Sequence, residues 1–255
     1  MEIVENNKQK QVIHTLAIIV LFIVAWLCVT GILQLSGAFL AGADFLNTEI
    51  LTPKQNAIIY LASLIGSFLT VYVFRRYVNH KSFISLGFSF RKRLPDLLIG
   101  SAIGCLIMIA GFLILTSVDQ IAVESVSVNI SDLLWSLMLF ACVSVLEEMV
   151  SRGFILGNLM DCMNRHAALL LSSLLFSLAH LFNPNTALLP MFNLFLAGIL
   201  LGSAYIYTRN LWFAIGLHLL WNFVQGPIVG FTVSGTSTAT LEKLHYPENN
   251  SVNGG

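Results

Sequence analysis

Glu147, Glu148 and Arg152 stand in the segment LFACVSVLEEMVSRGFILGNL, residues 139–159, which is otherwise apolar enough to cross a bilayer. On membrane-insertion scales an ionised group at the centre of a spanning helix costs roughly 2.5–3.5 kcal/mol, so residues of this kind are functional candidates by default. Glu148 and Arg152 are four apart on one helical face, where they can pair and offset part of that cost. Glu147 projects about 100° away and is free to meet another partner. Adjacent carboxylates repel, and a proton, a cation or a metal relieves the repulsion. Taken alone, Glu148–Arg152 could be a structural ion pair with Glu147 its incidental neighbour.

Two later apolar segments carry His180, and His218 with Asn222 four residues on. A lone histidine in an apolar helix is most often a hydrogen-bonded packing residue. That reading weakens when two of them follow a carboxylate pair on successive segments. Glu147, His180 and His218 form the ligand set of a catalytic zinc site that keeps one position for water. A metal-bound water loses its proton near neutral pH, and a nearby carboxylate can take that proton and pass it to a leaving amine. Asn222 adds a donor suited to a developing oxyanion. Other intramembrane protease motifs are missing. There is no H-E-x-x-H; Gly42-Ala43-Asp44 lacks the first glycine of Gly-x-Gly-Asp; and Val233-Ser234-Gly235 lies outside any apolar run.

The elements that must position these residues are hydrophobic helices. Of 255 residues 56% are hydrophobic and 10% charged, and the mean hydropathy is +0.82, well beyond the range of soluble domains. The formal net charge of zero gives no electrostatic case for nucleic acid. Cys28, Cys105, Cys142 and Cys162 form no C-x-x-C pair and are expected as packing residues. The first apolar run, about 12–35, is too long for a signal peptide core and is expected as a retained anchor. Spans near 12–35, 55–74, 94–116, 132–157, 166–182, 187–207 and 211–230 predict an all-α polytopic transmembrane helix bundle of about seven helices.

Lys8 and Lys10 precede the first span; Arg75, Arg76, Lys81, Arg91, Lys92 and Arg93 fill the second loop; Arg165 and Arg209 lie in the fourth and sixth. This alternation places the N-terminus in the cytoplasm. The domain reading is a cytoplasmic segment 1–11, a membrane domain 12–230 with its motif-bearing core at 132–230, and a polar tail 231–255 expected to be poorly ordered. Gly198-x-x-x-Gly202 is expected to pack helices closely. Counting residues from the span ends, the site should open toward the cytoplasm, with His180 reaching it through tilted, offset or broken helices.

Glu147-Glu148-x-x-x-Arg152, Phe176-x-x-x-His180 and His218-x-x-x-Asn222, in that order, resemble the CPBP family, the CAAX proteases and bacteriocin-processing enzymes also called Abi proteins. Arg152-Gly153-Phe154, Asn210-Leu211-Trp212 and Ala214-Ile215-Gly216-Leu217-His218 are phrased as in bacterial members, which implies a bacterial plasma membrane. The motifs span 147–222; the first 130 residues are similar only in being helical and apolar. The resemblance implies an intramembrane endopeptidase acting on a membrane-associated, prenylated or otherwise hydrophobic peptide. Glu147 would be the general base aided by His180, His218 and Asn222 would stabilise the oxyanion, and Glu148 and Arg152 would hold the first motif. It leaves two arrangements open, a zinc enzyme and a metal-free glutamate-dependent one. Some members carry a further helix after the third motif where this chain has its polar tail, so it is either a seven-span member or a sequence that stops early. The other readings are a non-catalytic immunity or scaffold protein in the membrane and, behind it, an ion-coupled transporter. No sequence feature sets an oligomeric state.

Overall fold

In hydrocarbon every backbone N–H and C=O must be paired within the chain, so the long apolar runs have helix as their outlet. The computed structural model describes residues 2–43, 51–184, 187–234, 240 and 242–245, and they form an all-α bundle. Its seven helices are α1 Glu2–Leu40, α2 Pro53–Val73 with a π-helical extension Phe74–Val78, α3 Leu94–Ser117, and α4 Ile130–Glu148 continuing through π-helical Met149–Leu156 to Leu159. Then come α5 Arg165–Ala179, α6 Leu188–Thr208, and α7 Trp212–Phe223 with a π-helical extension Val224–Ile228. Among the described residues α1, α2, α3, α4 and α6 are long and apolar enough to cross a membrane. The seven expected spans therefore correspond to seven helices. Residues 2–11, within the segment expected as the cytoplasmic N-terminal segment, form the first part of α1.

α5 has 15 residues, about 22 Å at 1.5 Å per residue and short of a hydrocarbon core of about 30 Å. It ends at the buried His180, and Leu181, Phe182, Asn183 and Pro184 follow outside the helix. α7 starts deep. Asn210 and Leu211 are buried, Leu211 N donates to Gly87 O at 3.1 Å, and Asn210 Nδ2 donates to Ser89 O at 2.9 Å. Gly87, at φ 117°, makes the turn that receives them, and a side chain there would press on Leu211 and the Arg209 carbonyl.

One face of the bundle gathers the first part of α1, the α2–α3 loop, the α4–α5 turn and the α6–α7 connector around Asp161. Gln11 Nε2 donates to its carbonyl at 3.3 Å, Lys81 Nζ lies 2.7 Å from its carboxylate, and Arg209 Nη2 lies 3.5 Å from it. We call this the near face. Beneath it Phe22 stacks on Phe154 with ring centroids 3.9 Å apart, and Phe74 meets Phe22 edge-on at 5.3 Å. The buried Tyr205 hydroxyl donates to Leu86 O at 3.0 Å, tying α6 to the α2–α3 loop.

Glycines set the closest helix approaches. Gly198 and Gly202 of α6 pack on Ser173 and Leu169 of α5, the packing role expected of that pair. A tighter seam joins α3 and α7. There an added Cβ at Gly100 or Gly104 would collide with the carbonyls of Phe213 or Leu217, and one at Gly216 with that of Leu97. On the far face Ala122–Val126 (β1) pairs antiparallel with Glu242–His245 (β2). The polar tail is thus structured over Glu242–His245, contrary to expectation, because β1 offers it a free edge; 235–239, 241 and 246–255 lie outside the described residues.

Gly100→Ala and Gly216→Ala are expected to force α3 from α7 and cost about 1–3 kcal/mol, seen as a lower unfolding temperature in detergent. Gly31→Ala, where an added Cβ meets nothing within 4 Å, should not lower it.

Candidate active site

The π-helical stretch of α4 begins directly after Glu148 and carries Arg152. Such widened turns inside α-helices are frequent at functional sites. Here the widened turn still lets Arg152 Nη1 reach Glu148 Oε1 at 3.0 Å. Both side chains are almost wholly removed from solvent, with Arg152 at 1% and Glu148 at 0% exposure. The guanidinium also donates from Nη2 to Gly198 O of α6 at 3.4 Å and lies over the Phe176 ring of α5 at 4.3 Å. A buried cation is tolerated when its donors and charge are met from several sides, and Arg152 is met by a carboxylate, a carbonyl and an aromatic face.

Glu148 Oε1 serves a second partner. His218 Nδ1 donates to it at 2.9 Å, which fixes the ring so that Nε2 points the other way. The second imidazole is set by the backbone: His180 Nδ1 donates to Phe176 O, one turn earlier in α5, at 2.8 Å. Its ring is packed on Phe176 with centroids 4.9 Å apart. With both Nδ1 atoms committed, the two Nε2 atoms converge on Glu147 Oε2, each at 3.9 Å. Glu147 is the more exposed carboxylate, its side chain 23% accessible against 0% for Glu148. Asn222 is buried one turn beyond His218.

The structure thus brings together all six residues singled out in the sequence, in two layers. Glu148 and Arg152 are the more deeply buried pair, Glu147 lies against both imidazoles, and His180, His218 and Asn222 line a cavity. The sequence reading missed three carboxamides. Asn183, Asn193 and Gln225 line the cavity beside Asn222, and the detectable signal was an amide in or beside an apolar helix. Gln225 Oε1 accepts from Trp221 Nε1 at 2.8 Å, fixing another cavity residue. Tyr60 of α2, also unremarked, lies within electrostatic reach of Glu147.

The cavity, of about 1030 Å³, is bounded by α3, α5, α6 and α7 and ends on His180 and His218. Its rim includes Asn183, Pro184, Thr232 and Ser234, which follow the ends of α5 and α7 remote from the near face. The sequence led to the expectation of a mouth toward the cytoplasm; the rim of this cavity lies on the face of the bundle remote from Asp161. The physical reason is that α5 stops at the site while the deep start of α7 closes the near side.

Glu147, His180 and His218 have the donor types zinc favours. Bonds of about 2.0–2.2 Å would put tetrahedral ligand atoms roughly 3.4 Å apart, closer than the 3.9 Å observed on both sides of Glu147. Among the described residues no group of three or more His, Cys, Asp and Glu side chains is gathered closely enough to hold a metal ion. The residues as arranged do not fit a closed zinc site. Polar atoms separated by more than about 3.5 Å suit a bridging water.

Residues 129–224 match the family described as type II CAAX prenyl endopeptidase Rce1-like. Neither the curated proteins nor the solved structures compared with the chain include a match. The matched segment runs from the start of α4 into the extension of α7 and contains all six site residues.

Replacing Arg152 by Met should strand the Glu148 carboxylate without a cation and cost about 3–5 kcal/mol, the usual loss when one partner of a buried ion pair is removed. The check is thermal unfolding in detergent. An Arg152→Met protein as stable as wild type would contradict the supporting role.

Proposed function

We propose, from the premise that this chain belongs to the family of type II CAAX prenyl endopeptidases, that it hydrolyses peptide bonds with a water activated by Glu147 and oriented by His180. Membership makes the protein a CAAX-type intramembrane endopeptidase in general terms. The observation that carries the finer reading is the convergence of two pinned imidazoles on one carboxylate oxygen at equal distance.

A water between Glu147 Oε2 and His180 Nε2 would be hydrogen-bonded to both. Glu147 takes its proton as the oxygen adds to the substrate carbonyl, and returns that proton to the leaving nitrogen as the tetrahedral intermediate collapses. Asn222 Nδ2 is a neutral donor for the oxyanion. His218, held through Nδ1 by Glu148, keeps the Nε2 edge of its ring turned toward Glu147 beside this space. Arg152 acts through Glu148 and is a positioning residue. Preorganised donors of this kind act strongly in a site partly withdrawn from water. No step in this sequence requires a metal.

The substrate class in this reading is a hydrophobic or lipidated peptide held at the membrane. Two of the four walls, α3 and α6, present exposed leucines to the lipid, and most of the cavity lining is apolar.

With a fluorogenic lipidated peptide in detergent, Glu147→Ala and His180→Ala should each lower kcat by about 10²–10⁴ while remaining folded. Asn222→Ala should lower it by about 10²–10³. Chelator should leave the wild-type rate unchanged. Activity lost to chelator and restored by zinc would contradict the metal-free mechanism, and equal turnover by Glu147→Ala would remove the assignment.

A further inference from the structure

The cavity that ends on His180 and His218 is uncharged. Among the described residues its lining has no Lys, Arg, Asp or Glu; the polar groups are the two histidines, four carboxamides and the hydroxyls of Thr232 and Ser234. The stretches that supply the lining, 104–118, 176–208 and 211–235, contain no Lys, Arg, Asp or Glu at any position. No rotamer change in these walls therefore brings a charge into the cavity.

Two cations outside the lining are engaged elsewhere. Arg152 is 1% exposed and committed to Glu148, the Gly198 carbonyl and the Phe176 ring. Lys54 of α2 stands over the Trp135 ring of α4 at 5.8 Å. The six site residues, with both imidazoles neutral, carry two carboxylates against one guanidinium, a formal charge of −1. The carboxamide donors are partly used as well. Gln225 Nε2 donates to Thr232 O at 2.6 Å, and Asn183 Nδ2 donates to Ser234 O at 2.9 Å.

A carboxylate moved from water into such a space loses its hydration and gains no counter-ion. It also meets the charge of Glu147, which lies against both imidazoles. A carboxamide of the same shape loses far less, because the lining offers it donors and acceptors of its own kind. A volume of about 1030 Å³ equals a cube with an edge of about 10 Å, which an extended chain crosses in about three residues at 3.3–3.6 Å each. An ionised group that close to the reacting carbonyl, on the side of the chain that fills the cavity, falls inside it.

We propose that the cavity is a subsite for an uncharged stretch of the substrate. It discriminates against peptides with an acidic side chain or a free terminal carboxylate within about three residues of the scissile bond. This rests on the endopeptidase reading, and the two can fail separately.

The test uses a farnesylated, internally quenched peptide in neutral detergent at pH 7, with the bond cut located by mass spectrometry. It is made with Gln or Glu two residues before that bond, and as the carboxamide or the free acid three residues after it. In at least one of these two pairs the neutral form should have a kcat/KM about tenfold or more above the acidic form. Ratios near one in both pairs overturn the subsite while leaving the endopeptidase reading intact. Asn193→Lys places a cation on the lining outside the six site residues, and it should reduce the wild-type preference about tenfold. Both proteins meet the same peptides in the same detergent, so partition into micelles cancels between them. A folded Asn193→Lys protein that keeps the wild-type ratio overturns the lining as the source of the preference. A wild type that cleaves none of the peptides overturns the proposed function, and the subsite with it.

Discussion

One carboxylate oxygen, Glu148 Oε1, holds two buried groups at once, the Arg152 guanidinium at 3.0 Å and the His218 imidazole at 2.9 Å. An ionised carboxylate without partners in such a place would carry a desolvation cost of several kcal/mol. The cation meets that cost, and the geometry of the pair determines where everything else stands. Arg152 reaches on to Gly198 and Phe176 and so ties α4 to α6 and α5. His218 is turned so that its other nitrogen faces Glu147. The electrostatic problem of keeping charge in hydrocarbon and the chemical problem of aiming a base share one solution.

The same constraint explains why two helices are not ordinary spans. His180 can aim at Glu147 only if its own Nδ1 is occupied, and the carbonyl of Phe176 occupies it where α5 runs out. α7 reaches the right depth because Leu211 and Asn210 are drawn in beneath Gly87 and Ser89. Short and sunken ends are what let His180 and His218 meet Glu147 at one level. They also leave the far side of the site open, so the position of the mouth follows from how the imidazoles were brought together.

Much of this was legible in the sequence. Hydropathy alone delimits seven helices, because backbone pairing in lipid allows little else. The spacing Glu148-x-x-x-Arg152 announces a pair, and it formed. Gly198-x-x-x-Gly202 announces close packing, and it occurs. The partner of His218 was not legible. Helical geometry places Glu147 and Glu148 about 100° apart, yet nothing in one chain says which of them a histidine 70 residues later will meet. The early end of α5 was hidden because Leu181 and Phe182 prolong the apolar run past His180, so hydropathy continues where the helix does not. The strand pair on the far face was hidden for the opposite reason. Glu242–His245 has little intrinsic pattern and takes its form from the free edge of Ala122–Val126.

The central claim is that Glu147 and His180 act as a unit on one water. The most direct test is a double-mutant cycle on kcat with Glu147→Gln, His180→Ala and the combined variant, using one peptide under single-turnover conditions. Residues that act as a unit are strongly non-additive. The account predicts that the double variant is about as slow as the slower single one. A double variant whose loss equals the product of the two single losses would contradict it.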